Sequence, residues 1–295
     1  MEREWAELSA AISRVDRRWK DAPRLTYRTA AVVRVHLWSV IHDRPTCWAC
    51  AAGNWDWRAR PKALPDQSTM SRRMRGRQGK RFYAFLDAVA AELSDPGAAL
   101  IDLKRLDGKP LPVAAHSTDP DARWGRGAGQ QNQGYKLHAI RSSRPMPEQW
   151  AITPLNVDER VVARRLIQRL DGAGYLLCDG LYDASDLHER AAAVNHQLVC
   201  PRRQPGTGLG HRRHSPHRLR ALEMLESPAG VNDFGLRLHQ QRGQIERDFG
   251  NLVSFGGGLQ GLPAWVRRIW RVRAWIYGKL LINAVRIRRL QRLRA

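Results

Sequence analysis

The chain has 295 residues, with 50 Lys and Arg against 28 Asp and Glu, a formal charge of +22 and a pI near 11.1. That excess suits a polyanion, nucleic acid ahead of an anionic membrane surface. The 43% hydrophobic content excludes a disordered basic tail, and no apolar run approaches the roughly 20 residues of a membrane span.

The first residues, MEREWAELSAAISRVDRRWK, are charged throughout and do not read as a secretory signal. The expected location is therefore cytoplasmic, associated with the nucleoid, with no membrane partner. Residues 1–93 read as a helical DNA-binding region. The stretch 27-YRTAAVVRVHLWSVIHD-43 is apolar at helical spacing, and Pro45 is expected to stop it. A Trp-rich loop (Trp48, Trp55, Trp57) precedes 66-DQSTMSRRMRGRQ-78. Ser68 there is a good N-cap, and Thr69, Ser71, Arg72 and Arg73 fill the first turns. A short helix that opens on hydroxyls and arginines suits the recognition helix of a helix-turn-helix, so Ser68, Thr69, Arg72 and Arg73 are candidate DNA contacts. The bland alternative is an Arg-rich surface helix. Residues 81-RFYAFLDAVAAEL-93 form a helix expected to pack beneath it.

At Asp95-Pro96-Gly97 the pattern changes. Residues 99–117 alternate as strands, with a turn expected at Asp107-Gly108, and 119-DPDARWGRGAGQQNQ-133 reads as a loop. Strands follow at 134–142 and 149–156, a helix over 158–174, a buried strand 175-YLLCD-179, a helix over 183–195 and a strand 196-HQLVCP-201. This order predicts a three-layer α/β domain with a mixed sheet over residues 94–255. Residues 202–220 carry six Arg, three His and no acid, which reads as a phosphate-contacting loop rather than a metal site at His211, His214 and His217. Cys47 and Cys50 form a lone CxxC, while Cys178 and Cys200 stand apart in sequence. No second pair completes a zinc set, and all four are expected to be ordinary thiols.

The segment 238-LHQQRGQIERDFGNL-252 reads as one helix. Arg242 and Glu246 share a face beside an apolar stripe of Leu238, Ile245, Phe249 and Leu252. Residues 256–295 read as a basic amphipathic helix. Trp265, Ile269, Val272, Ile276, Ile287 and Leu290 lie on one face, with Arg267, Arg268, Arg271, Arg286, Arg289 and Arg292 on the other for phosphates.

Asp107, Asp179 and Glu246 fall on two strands and a helix of one basic chain. Three carboxylates so placed suit a pair of divalent metals for phosphoryl transfer, with Asp107 bridging and Asp179 and Glu246 holding one ion each. Arg242, one turn before Glu246, matches a phosphate. Each acid also has a plain structural reading: Asp107-Gly108 as a hairpin turn, Asp179-Gly180 as a strand-end turn, Arg242 and Glu246 as a surface pair.

These residues resemble a family. The segments 107-DGKPLPV-113 and 134-GYKLHAI-140, the motif Asp179-Gly180-Leu181-Tyr182, and Arg242-x-x-x-Glu246-Arg-x-Phe249-Gly250 are similar to the motifs of DDE transposases of bacterial insertion sequences. The resemblance covers roughly residues 66–285. It implies a ribonuclease H-like catalytic domain, a requirement for two Mg²⁺ or Mn²⁺ ions, and cleavage and strand transfer on double-stranded DNA. It also implies binding of terminal inverted repeats and target DNA, with assembly of at least a homodimer on DNA ends. His239 and Val253 stand where the family often has Tyr and Lys. His239 retains a donor for phosphate and Val253 does not. Lys109 and Lys136 are further candidate DNA contacts near the site. Two rivals are a decayed or repurposed DNA-binding relative and a structure-specific nuclease.

Overall fold

Alternating apolar residues, β-branched and aromatic side chains build a single mixed sheet in the middle of the chain, while helical periodicity governs both ends. The computed structural model describes residues 2–94, 101–114, 116–127, 129–206, 208–209, 213–226, 233–254, 259 and 261–294. In chain order its elements are α1 (Glu2–Arg18), α2 (Thr29–Ile41), α3 (Thr46–Ala49), α4 (Gln67–Arg73), α5 (Gly76–Leu93), β1 (Ile101–Pro112), β2 (Arg123–Gly127), β3 (Gln130–Arg141), β4 (Gln149–Pro154), α6 (Glu159–Ile167), β5 (Ala173–Leu177), α7 (Ser185–Ala193), β6 (His196–Val199), α8 (Pro216–Glu226), α9 (Phe234–Gln240), α10 (Gly243–Ser254) and α11 (Ile269–Arg294). They divide into two compact units, Met1–Pro96 with Leu252–Ala295, and Gly97–Asn251. No helix among the described residues is long and apolar enough to cross a membrane.

In the second unit the strands run in the order β2-β3-β1-β5-β6, with β4 also on β3. The β1–β3, β2–β3 and β3–β4 pairs are antiparallel, while β1–β5 and β5–β6 are parallel. Helices α6 and α7 bury Val162, Leu166, Ile167, Leu187 and Ala191 against Leu106, Ile140, Leu176 and Leu198 of the sheet. The sheet is mixed and has helices packed against it, as the order of elements predicted.

Two strand expectations need correction. There is no hairpin at Asp107-Gly108: β1 runs through both residues, paired to Ala139 and His138 of β3. The supposed loop at 119–133 instead contains β2 and the start of β3. Because β2 is mostly exposed and polar, it lacks the apolar alternation that marks a strand. Its turn into β3 passes through Gly129, whose φ of 81° favours glycine.

Parallel pairing of β1 with β5 ends at Arg105↔Leu177, although β1 continues to Pro112. Beyond that point, among the described residues, β1 pairs with β3 alone. This explains how Pro110 and Pro112, which lack an N–H, fit in a strand next to the sheet centre.

The first unit is built of helices. Trp5, Leu8 and Ile12 of α1, Val33 and Leu37 of α2, Phe82, Phe85 and Leu86 of α5, and Val272, Ile276 and Leu281 of α11 are all buried. Buried His36 donates through Nε2 to the Ala274 carbonyl (3.0 Å), and burial lowers its pKa to about 4. The Tyr83 hydroxyl donates to the Trp270 carbonyl (2.9 Å) and Lys279 pairs with Asp43 (2.5 Å). The last helix is thus a core element rather than the amphipathic surface helix its sequence suggests. It is buried on nearly all sides from Val272 to Val285. Of the arginines expected to face phosphates, Arg286 pairs with Glu4 (3.2 Å), Arg292 with Glu7 (3.7 Å), and Arg267 donates to the Ala264 carbonyl. The 256-GGG-258 run lies outside the described residues.

Helix α4 is capped by Asp66, not Ser68. The Asp66 carboxylate accepts from Thr69 N–H (2.8 Å), and the Ser68 and Thr69 hydroxyls also donate to it. A carboxylate serves the orphan N–H groups better than a hydroxyl because it accepts several bonds at once. Arg73 is buried and donates to the Tyr27 carbonyl (2.8 Å) and the Thr29 hydroxyl (3.0 Å). Arg72 is exposed and donates to Thr69 Oγ1 (3.2 Å).

Candidate active site

Asp107 and Asp179 stand next to each other because of strand register. The β1–β5 ladder ends at the pair Arg105↔Leu177, and each acid lies two residues beyond it, Asp107 within β1 and Asp179 past the end of β5. Asp179 caps a short 3-10 turn, Gly180–Tyr182, by accepting from Leu181 N–H (2.9 Å). Asp107 accepts from Gly108 N–H (2.8 Å).

A third carboxylate at this place is one that sequence reasoning missed. Glu159 begins α6, after the N-cap Asp158. Lys136 of β3 donates to its Oε1 (2.6 Å) and Tyr182 to its Oε2 (2.6 Å). A Cβ on residue 108 would stand 2.8 Å from Glu159 Oε2, so Gly108 leaves room for the carboxylate where it stands, and a larger residue would make it shift. The one available signal was an acid in a first helical turn, which is too common to single out. Lys136 is buried and committed to Glu159, so it orders the site rather than meeting DNA. Lys109 is half-buried, and burial lowers its pKa while Asp107 opposes the shift.

Burial pushes the Asp107 carboxyl up to about 6, and the charges of Asp179 and Glu159 add to the shift against Gly108 N–H and Arg242. Asp179 is raised too, first by burial and then by Glu159, with Leu181 N–H, Arg242 and His239 opposing. Burial alone would raise Glu159, but the bonds from Lys136 and Tyr182 hold it below its ordinary value. His138, beside Lys136 on β3, is lowered to about 4 by burial and bonds to Thr153 Oγ1 (2.9 Å).

The segment expected to form one helix is broken. Helix α9 ends at Gln240 and α10 starts at Gly243, so Arg242 lies in the bend. Two hydrogen bonds pin this bend to the sheet: Arg105 Nε to the Gln241 carbonyl (2.8 Å) and His239 Nε2 to the Cys178 carbonyl (3.0 Å). The break separates Leu238 from the stripe, while Ile245, Phe249 and Leu252 are buried as expected. An ion pair between buried Arg141 and Asp248 (3.7 Å) holds α10 to β3. Arg242 lies near enough to lower the pKa of both aspartates, and its Nη2 donates to Glu246 Oε1 (3.0 Å). The Glu246 side chain is 62% exposed. The structure therefore brings Asp107, Asp179, Glu159 and Arg242 together, and links Glu246 to them through Arg242. The side chain of Val253 lies outside the described residues.

The 202–220 segment is less free than its composition suggests. Arg202 pairs with Glu226 (2.5 Å), Arg218 with Asp183 (2.6 Å), and α8 starts at Pro216. His214 bonds to the Leu209 carbonyl (2.6 Å), and His211 lies outside the described residues.

The donor set of the acid pair fits a hard divalent cation. Buried carboxylates this close repel, and among the described residues each aspartate has one backbone N–H as its hydrogen-bond partner, which leaves oxygens free for a cation. A corollary concerns stability without metal. Raised carboxyl pKa values mean that the folded state binds protons more tightly than the unfolded chain, so stability falls as pH rises from about 4 through about 6. Metal-free Asp107→Asn should therefore unfold later than wild type above about pH 7, by about 1–3 kcal/mol, with the gain gone below about pH 4. Thermal denaturation in chelator across that range checks this, and a destabilised Asn variant at neutral pH would contradict it.

The paired aspartates thus lie at one end of a mixed sheet in a chain of charge +22. Residues 105–282 match the transposase DDE domain, and the chain belongs to that family. Among solved structures it is similar to a piggyBac transposase, described in a synaptic complex with hairpin DNA, at 11% identity and a TM-score of 0.45 over 95% of this chain and 69% of that one. No curated protein matches the sequence.

Proposed function

We propose that this transposase cleaves and transfers DNA strands at the ends of an insertion sequence, with Asp107, Asp179 and Glu246 as its metal ligands. The side-by-side placement of Asp107 and Asp179 carries this reading. Two Mg²⁺ or Mn²⁺ ions held there would activate a water or 3′-hydroxyl and neutralise charge on the leaving oxygen. The chain's own residues do the rest. Lys136 and Tyr182 fix Glu159, whose charge holds the electronegative field around Asp107. Arg242 stands between Glu246 and the aspartates, where its fork suits a phosphate that competes for it. His239 holds the bend that carries Arg242. The substrate is double-stranded DNA with terminal inverted repeats, engaged by at least two copies of the chain. Ser68, Thr69 and Arg72 at the start of α4 are the candidate base or backbone contacts of the helical unit, and Lys109 contacts DNA near the acids.

The deciding assay is Mg²⁺-dependent cleavage of a labelled duplex carrying the element's own end, wild type against Glu246→Ala. Cleavage at the repeat boundary that vanishes in the variant supports the assignment. Tight binding with no cleavage by either protein leaves a DNA-binding remnant, a reading favoured by Val253 at the family's Lys position. Cleavage of branched or arbitrary DNA identifies a nuclease. Binding itself should fall steeply with salt, by roughly 10³-fold between about 50 and 200 mM, as phosphate contacts release counterions. Filter binding or anisotropy measures it, and a flat salt response would remove the electrostatic basis of the proposal.

A further inference from the structure

Cys178 and Cys200 are far apart in sequence but adjacent in the sheet. The last β5–β6 register pair is Leu177↔Val199, and the two cysteines follow it directly. Cys178 N–H donates to the Val199 carbonyl (3.2 Å), and both thiols are buried. His188, from α7, places Nε2 3.6 Å from Cys200 Sγ and 3.7 Å from Asp183 Oδ1. The donor atoms of Asp183, His188 and Cys200 all lie within 4.8 Å of one another. All four side chains are essentially inaccessible, with Cys178 and Cys200 at 0%, His188 at 1% and the Asp183 carboxylate at 3%.

We propose that Asp183, His188 and Cys200 form a three-ligand site for zinc, separate from the carboxylate site. With Zn–S and Zn–N or Zn–O bonds of about 2.0–2.3 Å, the edges of a tetrahedron are roughly 3.3–3.8 Å. The separations of His188 Nε2 from Cys200 Sγ (3.6 Å) and from Asp183 Oδ1 (3.7 Å) match. The donor set is mixed, as zinc prefers over magnesium. Charge also balances: one thiolate and one carboxylate neutralise the dication. Arg218 Nε and Nη2 donate to Asp183 Oδ1 (2.6 Å) and Oδ2 (2.7 Å). That pair orients the carboxylate from outside, as partners of metal ligands commonly do. The site ties the end of β6 to α7 and to the turn that follows Asp179.

The test uses the full chain, stripped of metal under reducing conditions and titrated with Co²⁺. A site of this kind gives one equivalent of tetrahedral cobalt, with visible d–d bands and a thiolate-to-metal charge-transfer band, both displaced by Zn²⁺. These signals should persist in Asp107→Asn/Asp179→Asn and in Cys47→Ser/Cys50→Ser. They should be lost in Cys200→Ser and weakened in His188→Ala, and zinc removal should lower the thermal midpoint of wild type. Absence of the charge-transfer band in wild type overturns the proposal without any variant. So does a band that survives Cys200→Ser, or cobalt that binds with no thiolate signal and is lost on changing Asp179.

Discussion

Asp107→Asn and Asp179→Asn are each expected to lower metal-dependent strand cleavage by at least about 10³-fold while leaving DNA affinity within about twofold. The loss is large because the two carboxylates act as a unit, and neither has a neighbour able to take over its oxygen ligands. Glu246→Ala should fall in the same range if α10 supplies the third ligand. Glu159→Gln should behave differently. It keeps the Tyr182 hydrogen bond but loses the charge opposite Lys136, so cleavage should drop by about 10–100-fold, the range for groups that orient a metal ligand. Single-turnover cleavage of a labelled repeat end separates these variants. Wild-type cleavage by Asp179→Asn would remove the site assignment, and a larger loss in Glu159→Gln than in Glu246→Ala would move the third ligand to α6.

The largest expected effect on stability lies elsewhere in the same unit. Lys104 of β1 is 2% exposed and its partner Glu148 has a side chain 6% exposed, with 3.6 Å between Nζ and Oε2. Such a pair contributes little net stability, but removing one member strands the other's charge in a poorly solvated place. Glu148→Ala should cost about 3–5 kcal/mol. At about 2–4 °C per kcal/mol for a domain of this size, the midpoint should fall by roughly 6–20 °C. Circular dichroism melts check this. Lys104→Met with Glu148→Leu, which removes both charges, should recover most of the loss. A single variant within about 1 kcal/mol of wild type would show that water reaches the pair.

Periodicity made much of the chain legible. Helices α2, α5 and α7 and strands β4, β5 and β6 fall near where apolar spacing places them, while α6 ends well short of the expected 174. The closeness of Asp107 and Asp179 could be anticipated because each precedes a glycine, one within a strand and one just past a strand end. What escaped has physical reasons. Strand β2 is an exposed edge with no apolar alternation. The α9–α10 break falls just before Gly243, where Arg105 and the Cys178 carbonyl, both from outside the segment, hold the bend. Arg73 carries the same charge as Arg72, and only its packing against Tyr27 and Thr29 distinguishes the two. Glu159, Cys178 and Cys200 depend on strand order and register, which bring together residues whose sequence neighbours say nothing about them.

The interleaving of the two units has a consequence for how the protein is made. Helices α1, α2 and α5 leave the ribosome before the sheet, yet α11, which supplies Val272, Ile276 and Leu281 to their core, leaves after it. The sheet unit is complete at about the time α10 emerges, so it can fold while the earlier helices still lack their fourth member. During that interval Val33, Leu37, Phe82 and Phe85 have no permanent cover, and they are the natural targets of a nascent-chain chaperone. A ribosome stalled before residue 269 would carry a sheet domain competent to fold beside a helical unit that is not. Limited proteolysis of such a stalled chain should therefore spare residues near 101–250 and cut within 2–94.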